Sequence, residues 1–385
     1  MSELRDSFPD ALCLTQRSRL RRRLLAWFDR HQRHLPWRQR KSRYRVWISE
    51  IMLQQTQVAT VLEYYPRFLR QFPNVRRLAE AEIDEVLRLW EGLGYYRRAR
   101  QLHAAAQQIV QRHGGRFPSD YESVLALPGI GRYTAGAILS IAEDQRLPIL
   151  EGNTQRLYAR LLGLRTDPRG AAEQRQLWTL AETLLPVKRV GDFNQALMEL
   201  GATVCKPRTP DCVNCPLQSL CPTRLQGLQG EIPFRGPGTQ YESVREAVVL
   251  VERRKKFLVR RCGLGERWAG MWDFLRFSAD PGTSKRTPSA DGNSVDRIER
   301  LERLERRVFE STGLSVQLTS LDHVIRHAVT RYRIELHCYR ARQVAGRLAR
   351  RRGVEMEWAA AERIAELPLS ATARRIARKF IETVG

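Results

Sequence analysis

Four cysteines, Cys205, Cys212, Cys215 and Cys221, fall within 17 residues, with six, two and five residues between neighbours. Only seven cysteines occur in the 385-residue chain, so this is a cluster. Thiolates crowd together at low cost only when a cation neutralises them, and the spacing reads as a four-thiolate metal loop. Pro207, Pro210, Pro216 and Pro222 thread the loop and oppose regular helix, which lets the sulfurs converge. A tetrahedral four-sulfur set serves zinc as well as iron, and two disulfides are a third arrangement.

Charge points to the partner. Lys and Arg total 66 against 42 Asp and Glu, a formal net charge of +24. A field of that sign favours nucleic acid or an anionic membrane surface. No apolar run approaches the roughly 18 residues that span a bilayer, and residues 1–15 lack the pattern of a secretory signal. Clustered cysteines without export fit a reducing cytosol and argue against disulfides. Part of the positive charge reflects a preference for Arg over Lys. From Arg17 to Arg45, however, basic residues alternate with Trp27, Phe28, Trp37 and Tyr44, with Trp47 just beyond, a pattern that suits nucleic acid.

The length suggests two domains. Up to about Leu225, apolar residues recur at helical spacing, as in Val86, Leu87, Leu89, Trp90 and in Leu177, Leu180, Leu184. Residues 226–243 open with a Gly- and Pro-rich stretch expected to be a linker. Strand-like runs follow, at Ala247–Val251, Phe257–Val259 and Ile334–Tyr339. A polar loop is expected over Ser278–Arg297, then a helix from Ile298 to Thr312. The expected layout is a mainly α domain over 1–225 and a smaller α/β domain over 244–385.

The segment Leu127-Pro128-Gly129-Ile130-Gly131-Arg132-Tyr133-Thr134-Ala135-Gly136 reads as a helix end, a tight turn and a new helix. Gly129 and Gly131 free the backbone to turn and bare its N–H groups, and the new helix N-terminus favours an anion such as phosphate. A plain helix connection would look similar.

Taken together, this segment, the cysteine loop and Trp47-Ile48-Ser49-Glu50-Ile51-Met52-Leu53-Gln54-Gln55-Thr56-Gln57-Val58 resemble the endonuclease III superfamily, and within it the MutY-type adenine DNA glycosylases. The resemblance is close over about 20–225 and holds in outline beyond. It implies a helix-hairpin-helix glycosylase domain carrying a 4Fe–4S cluster on the four cysteines over 205–221, plus a C-terminal Nudix-like domain. It also implies a bacterial, cytoplasmic, nucleoid-associated monomer acting on double-stranded DNA with A:8-oxoguanine or A:G mispairs.

Breaking a purine N-glycosidic bond requires a proton for the departing base and support for a cationic sugar, the problem glycosidases solve with two carboxylates. The base must also leave the stack, which calls for a pocket and a wedge. Glu50 is one carboxylate inside the apolar run Val46–Leu53, where burial would raise its pKa; the resemblance makes it the catalytic acid. Glu151, in Leu150-Glu151-Gly152-Asn153, stands where the family has Asp and is expected to support the sugar. The alternative is a carboxylate at a helix start beside an Asn153 cap. Tyr133 occupies the place of a Schiff-base Lys in bifunctional relatives, so a monofunctional enzyme with water as final nucleophile is expected. By motif, Gln55 and Tyr95 are expected to wedge into the duplex, and Arg38 and Gln195 to line the adenine pocket; Trp37 is expected to pack.

In the C-terminal part, Trp268–Phe274 resembles a Nudix-like element. The stretch Arg306–Gly313 lacks most of the glutamates that hold magnesium in hydrolytic Nudix enzymes, so recognition without pyrophosphatase activity is expected. Thr330 and Arg331, in Val329-Thr330-Arg331, match the family's lesion-sensing loop, with Arg replacing His. Two other functions compete: an endonuclease III-like or thymine-mismatch glycosylase, and a non-catalytic iron–sulfur DNA-binding protein. Lys206, Arg208 and Arg224 make the cysteine loop a DNA-facing structural clamp in this reading, with no cysteine needed for hydrolysis.

Overall fold

The computed structural model describes residues 13–234, 236, 240–278, 294–349 and 353–381. They divide into two compact units whose boundaries are not simple cuts in the sequence. Residues up to Ala81 and Gln101–Gly238 form one; Glu82–Arg100 join the residues from Thr239 onward in the other.

The first unit is helical. Helices Leu14–His31, Gly152–Leu162, Ala171–Leu184 and Val190–Thr203 share one core, with Leu24, Phe28, Leu157, Leu161, Leu177, Leu184, Phe193 and Leu200 at its centre. These side chains recur every three or four residues, so each helix presents one apolar stripe, and each buried Leu or Phe contributes about 1.5–3 kcal/mol. Cys205, Leu217 and Leu220 of the cysteine loop bury themselves in the same core. Two helices have no polar face. Tyr44 and then Val46 to Met52 are buried in Arg43–Leu53, as are Thr134 to Ile141 in Arg132–Glu143. A carboxylate on such a helix has no route to water except through a pocket.

The second unit contains a seven-stranded mixed sheet: β1 (Glu242–Arg253), β2 (Lys256–Arg261), β3 (Trp272–Asp273), β4 (Leu275–Ser278), β5 (Leu314–Val329), β6 (Tyr332–Gly346) and β7 (Met356–Ala359). The main path runs β3-β2-β1-β6-β5, with β4 on β1 and β7 on β2. Among the described strand pairs β1 and β6 run parallel, and β5 and β6 form a long hairpin closing at Val329 and Tyr332. Val248 and Leu250 face helices Ala361–Glu366 and Ala371–Phe380, while Val249 and Val251 face helix Ser294–Thr312. Burial on both faces explains why β1 reads as an unbroken apolar run.

Several local expectations change. The helix expected from Ile298 begins at Ser294, so the polar loop is shorter than the sequence suggested; its stretch over 279–293 lies outside the described residues. Pro222 opens the short helix Pro222–Leu225 instead of opposing helix, because proline at the first helical position gives up no hydrogen bond. Within the Gly/Pro-rich stretch, Ile232 is buried and its carbonyl accepts from Arg160 Nε at 2.8 Å.

Candidate active site and cysteine loop

Glu50 and Tyr133 come from the two helices that lack a polar face. Tyr133 Oη donates to Glu50 Oε2 at 2.6 Å and lies 3.4 Å from Met198 Sδ. Burial pushes the Glu50 carboxyl up to about 7; the Tyr133 hydrogen bond opposes this and nearby Glu151 adds to it. Tyr133 is pushed well above the usual phenol range by burial and by both carboxylates, so it remains a donor.

Glu151 is itself the N-cap of helix Gly152–Leu162. Its Oε2 accepts from Asn153 N at 2.8 Å and Asn153 Nδ2 at 3.2 Å, and Oε1 from Thr154 N at 3.0 Å. The Thr154 hydroxyl in turn accepts from Glu151 N at 2.8 Å, closing a capping box. Asn153, read as the cap, is the first of the residues that the true cap holds. Burial raises the Glu151 pKa, yet three N–H donors and Arg156 favour its anion. Glu50 has one donor, so of the two it is the better proton holder.

Arg38 and Gln195, both expected to line an adenine pocket, lie in contact: Arg38 Nε donates to Gln195 Oε1 at 3.1 Å. Sequence reasoning missed their shared neighbour Glu199, which is 1% exposed and accepts from Arg38 Nη2 at 2.8 Å and Arg33 Nε at 2.6 Å. Burial works against its ionisation, but the two guanidiniums outweigh it and hold Glu199 below the usual range. Like Glu50, Glu199 is a lone carboxylate in an apolar run. Trp37 packs edge-on against Tyr65 at 5.5 Å.

At the hairpin, Gly129 adopts φ +78°, which a side chain would strain, and Gly131 caps helix Arg132–Glu143 without a side chain over the first turn. Gln55, Tyr95 and Thr330 share a less common property: each is a non-glycine residue with positive φ, at 54°, 47° and 52°. The other described residues of this kind, such as Asp144 and Arg189 at helix caps and Arg254-Lys255 in a hairpin turn, have local structural reasons. Thr330 has the same hairpin-turn reason and Gln55 follows the C-cap of helix Arg43–Leu53, whereas no cap or hairpin accounts for Tyr95, an exposed strained residue of the kind found in ligand-contacting loops. Thr330 and Arg331 form the tip of the β5–β6 hairpin, where Arg331 lies 3.8 Å from Glu242 and over the Tyr332 ring.

Cys205, Cys212, Cys215 and Cys221 line a single cavity together with Arg160, Leu161 and Leu217. Burial, with its three cysteine neighbours adding to it, pushes the Cys215 thiol up to about 12. Sulfurs close enough to repel one another as thiolates suit a cationic centre bound among them. Among the described residues, no group of three or more His, Cys, Asp or Glu is arranged to hold a single metal ion. Two arginines, four residues apart on helix Gly152–Leu162 and also missed from sequence, serve the loop. Arg156 Nε donates to Cys205 O at 2.8 Å and Nη2 to Asn153 Oδ1 at 2.9 Å. Arg160, 2% exposed, donates to Cys205 Sγ at 3.1 Å and to the Lys206 and Pro207 carbonyls.

Both parts of the chain resemble known proteins. Residues 48–183 match the model of the HhH-GPD superfamily of base excision DNA repair proteins, and residues 247–379 match the NUDIX domain. The adenine DNA glycosylase of Buchnera aphidicola (from Acyrthosiphon pisum) is 35% identical over 255 residues, covering 66% of this chain and 73% of that protein. The chain belongs to the adenine DNA glycosylase family. The rat adenine DNA glycosylase is 48% identical over 221 residues. That match takes in 55% of this chain but only 43% of the rat protein, so the chain spans less than half the length of its mammalian relatives. In structure, a thermostable thymine-DNA glycosylase superposes with a TM-score of 0.51 at 29% identity, over 55% of this chain and 97% of that one. No helix among the described residues is long and apolar enough to cross a membrane.

Proposed function

We propose that this adenine DNA glycosylase family member removes adenine mispaired with 8-oxoguanine or guanine by monofunctional, acid-assisted hydrolysis. The observation that carries the reading is the buried Glu50 carboxyl, raised to about 7 and held by the Tyr133 hydroxyl. A carboxylic acid with that pKa keeps its proton near neutrality, where an ordinary Glu has lost it. Glu50 donates the proton to the departing adenine as the C1′–N bond breaks, and its carboxylate then accepts one from the attacking water. Glu151, fixed by its N–H donors, supports the cationic sugar. Tyr133 has no amine to form a Schiff base, so the strand stays intact. Arg38 and Gln195 border the space for the flipped base, Gly129 and Gly131 bind phosphate, Gln55 and Tyr95 enter the duplex, and Thr330 with Arg331 inspects the opposite base.

The four cysteines are the residues that would hold a 4Fe–4S cluster, with Arg160 donating to the Cys205 sulfur. Bound there, the cluster supplies positive charge that stabilises the loop's fold. No step of the hydrolysis passes through it.

Duplexes carrying A:8-oxoguanine, A:G, A:C, T:G or thymine glycol, treated with alkali after incubation, test the reading. Cleavage of the adenine strand only after alkali is expected. Cleavage without alkali, or preference for T:G, would overturn it; the T:G arm meets the likeness to the thymine-DNA glycosylase.

A further inference from the structure

Glu82–Arg100 lie inside the span matched by the helical glycosylase family, yet they belong to the sheet-bearing unit. Within that unit their attachment is polar and shielded. Arg374 Nε donates to Glu91 Oε1 at 2.7 Å and Nη2 to Oε2 at 3.1 Å, with the side chains 8% and 10% exposed. The remaining Arg374 donors reach the Ile364 carbonyl at 3.1 Å and the Leu367 carbonyl at 2.7 Å. Leu369 N also points to Glu91 Oε2, at 3.4 Å. A second fastening joins Asp84 to Arg261 and to Trp272 Nε1, and a third joins Arg100 to the Ala269 carbonyl.

Four residues beyond Glu91 stands Tyr95, half exposed, after Gly94 at φ +71°. The connection has little slack. Arg98 donates to the carbonyls of Leu93 and Gly94, both at 3.2 Å, and its guanidinium faces the rings of Trp90 and Tyr95 at 5.4 and 5.6 Å. Trp90 Nε1 closes onto Gly94 O at 3.3 Å. A shielded, bidentate ion pair is a poor choice for cohesion alone, because apolar side chains would hold as well without desolvating two charges. What the fork geometry adds is a fixed orientation.

We propose that Arg374, acting through Glu91, is a positioning residue that aims Tyr95 at the duplex, so that the NUDIX-like unit sets where this wedge enters. The inference rests on the reading of Tyr95 as a DNA contact. It makes inspection of the base opposite adenine and insertion of the wedge properties of one unit.

The test uses the full chain with R374Q, E91Q, R374K, the swap E91R/R374E, Y95A and Y95A/R374Q. R374K keeps the charge without the fork and guards against loss of folding. In DNA-free protein, hydrogen exchange of the Glu82–Arg100 amides should quicken in R374Q, E91Q and R374K and return toward wild type in the swap. Exchange in helix Arg43–Leu53 should not change. With an A:8-oxoguanine duplex carrying 2-aminopurine beside the mispair, R374Q should lower the unstacking fluorescence to the Y95A level. Single-turnover excision should slow about tenfold, within the range that a small misplacement costs. In the Y95A background R374Q should add nothing, since both act on one element. An additive loss, or unchanged exchange in the segment, overturns the proposal. If wild type releases no adenine, the functional reading fails, while exchange and fluorescence still decide the role of Arg374.

Discussion

Burial and one hydrogen bond govern Glu50. Its folded pKa of about 7 against an ordinary 4.5 means that the folded chain binds this proton more tightly than the unfolded chain. Stability from this group is therefore fully present below about pH 4.5 and is lost as pH rises through about 7, a span of about 3 kcal/mol. Glu50→Gln should remove that slope from pH-dependent urea unfolding while cutting excision by about 10²–10⁴-fold, the usual range for a general acid. Wild-type excision should decline above neutrality as Glu50 ionises. Tyr133→Phe removes a hydrogen bond that lowers the Glu50 pKa, so its alkaline limb should move to higher pH; a limb that stays put or moves down would deny Tyr133 this role. In the sequence Glu50 stands as a single carboxylate in an apolar run, and the family resemblance made it the candidate acid. Neither could supply the 2.6 Å contact with Tyr133, which joins residues 83 positions apart. Glu199 carried the same local signal and was missed, because its arginine partners meet it only in the fold.

Between elements, helix Val190–Thr203 closely approaches the start of helix Gly152–Leu162, which Glu151 caps. A Cβ at Gly201 would lie 2.7 Å from Asn153 Cβ and 3.0 Å from its carbonyl oxygen, so the two backbones would have to separate. Arg156, which donates to the Gly201 carbonyl at 2.7 Å and to Asn153, would move with them. Gly201→Ala should cost about 1–3 kcal/mol in urea unfolding, as overpacking does, and should slow excision while leaving affinity for undamaged duplex near wild type. Loss of stability with an unchanged rate would mean that the Glu151 cap does not depend on this contact. The helices here were legible because each has a clear apolar stripe, and the β1 run was legible because it is buried on both faces. The starts of Ser294–Thr312 and Pro222–Leu225 were not, since polar residues and prolines fit a helix's first turn as well as a loop.

For the whole molecule, the net charge of +24 favours a polyanionic partner without indicating which face would meet it. The cysteine loop illustrates the gap: spacing identified the four thiols, while only the fold reveals Arg160 and Ile232 knitted to them. Lys206 and Arg208 project from this loop into solvent, whereas the cysteines face inward. If the loop grips phosphate, each cation displaces condensed counterions, and log K falls with log salt in proportion to the phosphates neutralised. The variant K206A/R208A should then reduce the salt slope by about 2 and weaken binding alike for mispaired and matched duplex, leaving their ratio intact. Iron content and the melting temperature should match wild type, because neither side chain lines the cysteine cavity. Fluorescence anisotropy across a salt series measures the slope directly. An unchanged slope would remove the loop from the DNA interface, and a change in the ratio would mean that it reads the lesion as well as the backbone.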